Sequence, residues 1–159
     1  MAVSFDWLGI AEGSTNDARG ALTLVGVGQN VMAAVEFPHR EQRVLIVTVL
    51  DEDGTDLGQD ATFGMTFDIT APSGRVLIAN HQTLTTAQAS NPAGIPPDIP
   101  ARGIQLVWNL NLEVTEYGPH TVRVEIEIPG QEPLSRTRKI YVVAPPGSSP
   151  ESLAPESPL

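Results

Sequence analysis

Between Gly103 and Val143 the chain alternates apolar and polar residues with a period of two. Ile104, Leu106, Trp108, Leu110, Leu112 and Val114 take the even positions. Gln105, Asn109, Asn111 and Glu113 take the odd ones, with Val107 the exception. Tyr117-Gly118-Pro119 interrupts the pattern. Val122, Val124, Ile126 and Ile128 then alternate with Thr121, Arg123, Glu125 and Glu127, and after Pro129-Gly130 a third run ends at Ile140-Tyr141-Val142-Val143. Successive side chains of an extended strand point to opposite faces, so this period demands a sheet with one buried and one wet face. Three such runs joined by short turns predict an antiparallel meander.

The earlier part of the chain has the same character. Val3 to Ile10 is predicted as the first strand, and Glu12 to Gly20, rich in Gly, Ser, Thr, Asn and Asp, as a turn or short loop. Ala21 to Val27 is predicted as the second strand, with Gly26, Gly28 and Asn30 marking a bulge or a close backbone approach. Val31 to Phe37 reads as a third short strand, the alternative being a single helical turn through Met32-Ala33-Ala34, and Phe37-Pro38 ends it. Arg43 to Leu50 (RVLIVTVL) is apolar on both parities, which suits a strand covered on both faces or central in a sandwich. Asp53-Gly54 is a hairpin signal. Thr62 to Thr70 alternates, Ala71-Pro72-Ser73-Gly74 is a turn, and Arg75 to Ala79 is a short strand.

His81 to Ala101 breaks with this pattern. It holds Pro92, Pro96, Pro97 and Pro100 and reads as a long surface loop, with a short helix over Thr85 to Ser90 as a variant. The segment 144–159 is rich in Pro, Ser and Glu and too poor in apolar residues to offset its ordering entropy. The expected architecture is therefore all-β. It is an antiparallel, immunoglobulin-like β-sandwich of about eight or nine strands over residues 1–143, with 144–159 as a disordered tail.

Composition narrows the chemistry. The 159 residues include no cysteine, which excludes thiolate catalysis, disulfides and cysteine-ligated metals. With 19 acidic and 9 basic residues the formal charge is −10, so nucleic-acid binding is not expected. The first residues lack the basic start and apolar run of a signal peptide, and no stretch is long and apolar enough for a membrane span. A soluble cytoplasmic protein is the expectation.

The acidic hairpin 51–60 carries Asp51, Glu52, Asp53, Asp56 and Asp60, oxygen donors of the kind calcium requires. EF-hand spacing is absent, since Gly54 falls at the fourth position and no Glu follows at the twelfth. A solvated hairpin tip is the plainer reading, with Asp51, Asp53 and Asp56 as the metal-ligand alternative. His39, His81 and His120 have no local metal spacing and read as loop or surface residues. No nucleophile elbow, dinucleotide fingerprint or P-loop is present, so neither an enzyme nor a cofactor is expected. Arg123, Arg136, Arg138 and Lys139 could meet an acidic partner or phosphate. The plainer expectation pairs them across the sheet with Glu125 and Glu127. Trp108 shares the apolar parity and belongs to the core. A sugar ligand would need an aromatic platform from Trp7, Tyr117 or Tyr141.

Three segments resemble a group of small uncharacterised bacterial β-sandwich proteins. They are Leu8-Gly9-Ile10-Ala11-Glu12, the strand Leu22-Thr23-Leu24-Val25-Gly26-Val27-Gly28, and the turn and strand from Glu116 to Val124. The resemblance covers about residues 1–143 and implies an immunoglobulin-like or related sandwich, with no activity and no site residues to carry over. The resulting expectation is a non-catalytic protein-interaction module. It would recognise a protein partner, or a second copy of itself, through loop 81–101 (Asn91, Pro92, Ile95, Pro96 and Pro97) or through a sheet edge. The alternative is a ligand- or calcium-binding sandwich that uses the hairpin 51–60.

Overall fold

The computed structural model describes residues 3–18, 22–51, 61–85 and 102–148. Among them are ten strands and no helix. These are β1 (Val3–Ala11), β2 (Gly13–Asn16), β3 (Leu22–Val25), β4 (Val31–Ala33), β5 (His39–Asp51), β6 (Thr62–Thr70), β7 (Val76–Thr85), β8 (Arg102–Val114), β9 (Gly118–Glu127) and β10 (Leu134–Val143). They form a three-stranded sheet, β1-β5-β8, and a five-stranded sheet, β4-β10-β9-β6-β7, with β2-β3 as a separate hairpin. All ladders are antiparallel except the short parallel pairing of β4 with β10.

The two larger sheets pack face to face over one apolar core. The three-stranded sheet supplies Leu45, Val47 and Val49 from β5 and Ile104, Leu106, Leu110, Leu112 and Val114 from β8. The other supplies Phe63, Met65, Phe67 and Ile69 from β6 and Val122, Val124 and Ile126 from β9. These are the alternating sets legible in the sequence, and burying each such side chain contributes about 1.5–3 kcal/mol. Trp108 packs against this core, with its ring tilted over Phe67 at a centroid distance of 5.6 Å. The molecule is thus the expected all-β sandwich.

The double parity of β5 has a physical cause. It is the central strand of its sheet, and its outer face carries a second small core of Ala11, Val44 and Ile46, covered by Trp7 and by Leu24 of the β2-β3 hairpin. Trp7 reaches that face because β1 is irregular. Its register against β5 shifts between Phe5 and Trp7, so Val3 and Phe5 point into the main core before the shift and Leu8 and Ile10 after it. Trp7, Gly9 and Ala11 are left outside, and the indole lies directly across Gly9. The expected close approach near Gly26 is also present. Gly26 has φ 64°, and the Glu12 side chain packs where a Cβ would sit.

Several expectations need correction. The run from Gly103 to Val143 is not a meander. β8 pairs with β5 from His39↔Val114 to Asp51↔Arg102, whereas β9 and β10 lie in the opposite sheet. Alternation specifies which face is buried and is silent on which strand is the neighbour. Residues between Val114 and Gly118 therefore cross from one sheet to the other. The segment 12–20, expected to be a loop, contains β2, and the strand expected over Arg75 to Ala79 continues to Thr85. In both cases a polar sequence is held by main-chain pairing, which needs no apolar side chain. The last strand ends at Val143, after which Ser148 folds back on the Pro145 carbonyl through its amide (3.1 Å) and hydroxyl (2.6 Å). Residues 149–159, the bulk of the expected tail, lie outside the described residues.

Candidate functional site

β7 forms one border of the five-stranded sheet. It pairs with β6 over its whole length, from Thr62↔Thr85 to Thr70↔Val76, and among the described residues no strand pairs with its far side. Its sequence, VLIANHQTLT, contains no Asp, Glu, Lys, Arg or Pro. Edge strands are normally protected by charge, proline, brevity or a covering element, because their open amides and carbonyls template another strand. From Val76 to Leu84 this edge carries no charge or proline, in a chain with 28 charged side chains, 9 basic and 19 acidic, and among the described residues no strand covers it.

The strand is firmly seated. Leu77, Ile78 and Leu84 pack against the core, while Ala79, His81 and Thr83 are exposed on the outer face. His81 Nδ1 lies 2.8 Å from Thr66 Oγ1 on β6, which holds the imidazole against the sheet. Beside it is a shallow depression of about 420 Å³ lined by Gly64, His81, Thr83, Glu127 and Gln131. Gly64 helps to open it, since a Cβ there would stand 3.4 Å from the Glu127 carboxylate.

The opposite border is partly closed. β4 covers β10 only at Tyr141, Val142 and Val143. The preceding segment stitches the two sheets together, Gly28 N donating to Ile10 O (3.0 Å) and Tyr141 N to Asn30 O (2.7 Å). Of the cations expected to pair with Glu125 and Glu127, one does so along its own strand and another turns to the opposite sheet. Arg138 Nε donates to the Leu8 carbonyl across the seam at 3.0 Å, and Arg123 binds Glu125 of its own strand at 2.6 Å. Sheet neighbours alone could not reveal this, because Arg138 lies at the rim where the facing sheet ends.

The histidines also depart from expectation. His120 is 1% exposed and shares the core parity of Val122 and Val124, with Nδ1 3.2 Å from the Gly118 carbonyl. His39 lies on β5 beside Glu41 at 3.3 Å, and Glu41 pairs in turn with the buried Arg43. Arg43 also donates to the Val31 carbonyl at 3.5 Å. This row occupies the inner parity of β5 at the end of the core and joins it to β4, so it reads as an internal brace. Nearby, Tyr117 donates its hydroxyl to the Ala34 carbonyl at 3.1 Å and sets its ring edge-on to Phe37 at 4.7 Å.

Of the acidic hairpin, Asp51 closes β5 and is fully buried, so it is not part of a solvated tip. Asp53 and Asp56 lie outside the described residues, as do Asn91, Pro92, Ile95, Pro96 and Pro97. Among the described residues no group of three or more His, Asp or Glu side chains is placed to hold a metal ion. The first part of the loop predicted over 81–101 is strand instead, since His81 to Thr85 belong to β7, and residues 86–101 lie outside the described residues. The signal for this edge was present in the sequence as an uncharged ten-residue run, but its position at a border depended on strand order.

No family model matches the chain. No curated protein matches it either. Among solved structures the chain is similar to the C-terminal domain of Wzt, with 14% identity and a TM-score of 0.47 over 91% of this chain and 75% of that one. Among the described residues no helix is long and apolar enough to cross a membrane.

Proposed function

We propose that this protein is a non-catalytic interaction module that receives an extended segment of a protein partner along β7. The observation that carries the proposal is the border from Val76 to Leu84, which holds no charge or proline and pairs with no strand on its far side among the described residues. An added strand would gain affinity from main-chain hydrogen bonds and specificity from side-chain pockets. The depression lined by Gly64, His81 and Thr83 is such a pocket.

The test is an Ala79→Lys/Thr83→Lys variant. Both positions are exposed, so the core is untouched, and lysine on an edge opposes strand addition. Partners captured by the native protein from its own cells are identified, and one is titrated against both forms. The variant should melt like the native protein and bind at least tenfold more weakly. Unchanged affinity in a folded variant would refute the β7 reading.

A further inference from the structure

The border opposite β7 has a different chemistry. The stitch from Gly28 to Asn30 closes only part of the seam between β1 and β10. Where it stops, a groove of about 340 Å³ remains, lined by Trp7, Gly9, Gly28, Asn30, Arg138 and Lys139. Alongside it, residues 134–140 of β10 pair with β9 on one side, and among the described residues no strand pairs with the other. This free stretch reads LSRTRKI and holds Arg136, Arg138 and Lys139, three of the nine basic residues of a chain with net charge −10.

Two details suggest a built surface. Arg136 and Arg138 share the parity of the buried Ile140 and Val142, so the core face of β10 turns cationic at the rim. The Leu8 carbonyl holds Arg138 Nε at 3.0 Å, which fixes the guanidinium at the groove while its other nitrogens carry the remaining donors. Inward-facing charge on an edge opposes indiscriminate strand pairing. The same charge selects a strand that carries the opposite sign.

We propose that this groove binds an acidic extended polypeptide segment, separately from the β7 edge. The segment's backbone would lie along Leu134–Ile140, its carboxylates would meet Arg136 and Arg138 on one face and Lys139 on the other, and an apolar side chain would rest on the Trp7 indole above Gly9. Charge complementarity decides the occupant, since a neutral strand would leave the cations unmatched. A basic strand would be repelled.

The test uses the full chain and a fluorescein-labelled octapeptide of Glu-Glu-Val repeats, which carries carboxylates on both faces when extended. Saturable binding is expected, weakening about tenfold in R136Q/K139Q, as two exposed charge pairs permit. Amides of residues 134–140 should gain exchange protection with the peptide, an observation on the native chain that does not depend on the variant. A79K/T83K should bind the peptide normally, so failure here and failure of the β7 reading are separable. Equal affinity in R136Q/K139Q, equal binding of a Lys–Val octapeptide, complete displacement of the peptide by inorganic phosphate, or unchanged protection at 134–140 would each overturn the proposal.

Discussion

Replacing Gly9 by alanine should destabilise the protein, against the usual sign for a strand. Alanine in a strand interior is normally favoured over glycine by roughly 0.5–1 kcal/mol, because glycine loses more backbone entropy on folding. At Gly9 the added Cβ would meet the Trp7 indole, including Cη2 at 2.5 Å and Cε2 at 2.7 Å. Real Cβ atoms do not approach a ring so closely, so the indole must leave its place over Ala11, Val44 and Ile46. Overpacking of this kind costs about 1–3 kcal/mol. The assay is urea unfolding followed by far-ultraviolet circular dichroism, with Trp7→Ala and the double variant completing a thermodynamic cycle. In the Trp7→Ala background Gly9→Ala should become neutral or stabilising, giving a coupling of about 2 kcal/mol within the usual range for contacting residues. A Gly9→Ala variant as stable as the native protein, or a coupling near zero, would refute the placement of Trp7 and the register shift that brings it there.

Three other substitutions test the brace and the contacts around it. Glu41→Ala removes the counter-charge of Arg43, whose side chain is 6% exposed, and should lower stability by more than about 1 kcal/mol. The loss should fall below the about 3–5 kcal/mol of a fully buried pair, because Glu41 itself is 28% exposed. Glu113→Ala breaks an exposed pair with Arg40 and should change stability by less than about 1 kcal/mol in the same urea titration. Tyr117→Phe removes the hydroxyl bonded to the Ala34 carbonyl and should cost about 0.5–1.5 kcal/mol while leaving the ring on Phe37, and a neutral result would show that the bond is not made in solution.

The faces of the sandwich could be read from the chain because burial acts on each side chain through the period of two. Ile104 to Val114, Thr62 to Thr70 and Val122 to Ile126 therefore appeared with the correct inward sets. The two-sided burial of Val44 to Val49 was equally plain. Apart from the hairpins β9-β10 and β6-β7, whose turns announce them, neighbour relations were not legible, since main-chain pairing carries almost no side-chain signature. This concealed the pairing of β8 with β5, the parallel β4-β10 contact and the border position of β7. The register shift near Asp6 was invisible for the same reason, and with it the role of Gly9. Arg138 illustrates a further limit, because its partner is the Leu8 carbonyl on the other sheet, and no side-chain pattern announces a backbone acceptor.

The proposed recognition depends most heavily on β7 as an open edge. The direct measurement is amide hydrogen exchange across Val76 to Leu84, in the free protein and with its captured partner. In an edge strand only alternate amides are engaged by the neighbouring strand, so the account predicts fast and slow exchange in alternation along β7 of the free protein. The fast set should become protected when the partner binds. Uniform protection in the free protein, or a fast set that stays fast in the complex, would contradict it.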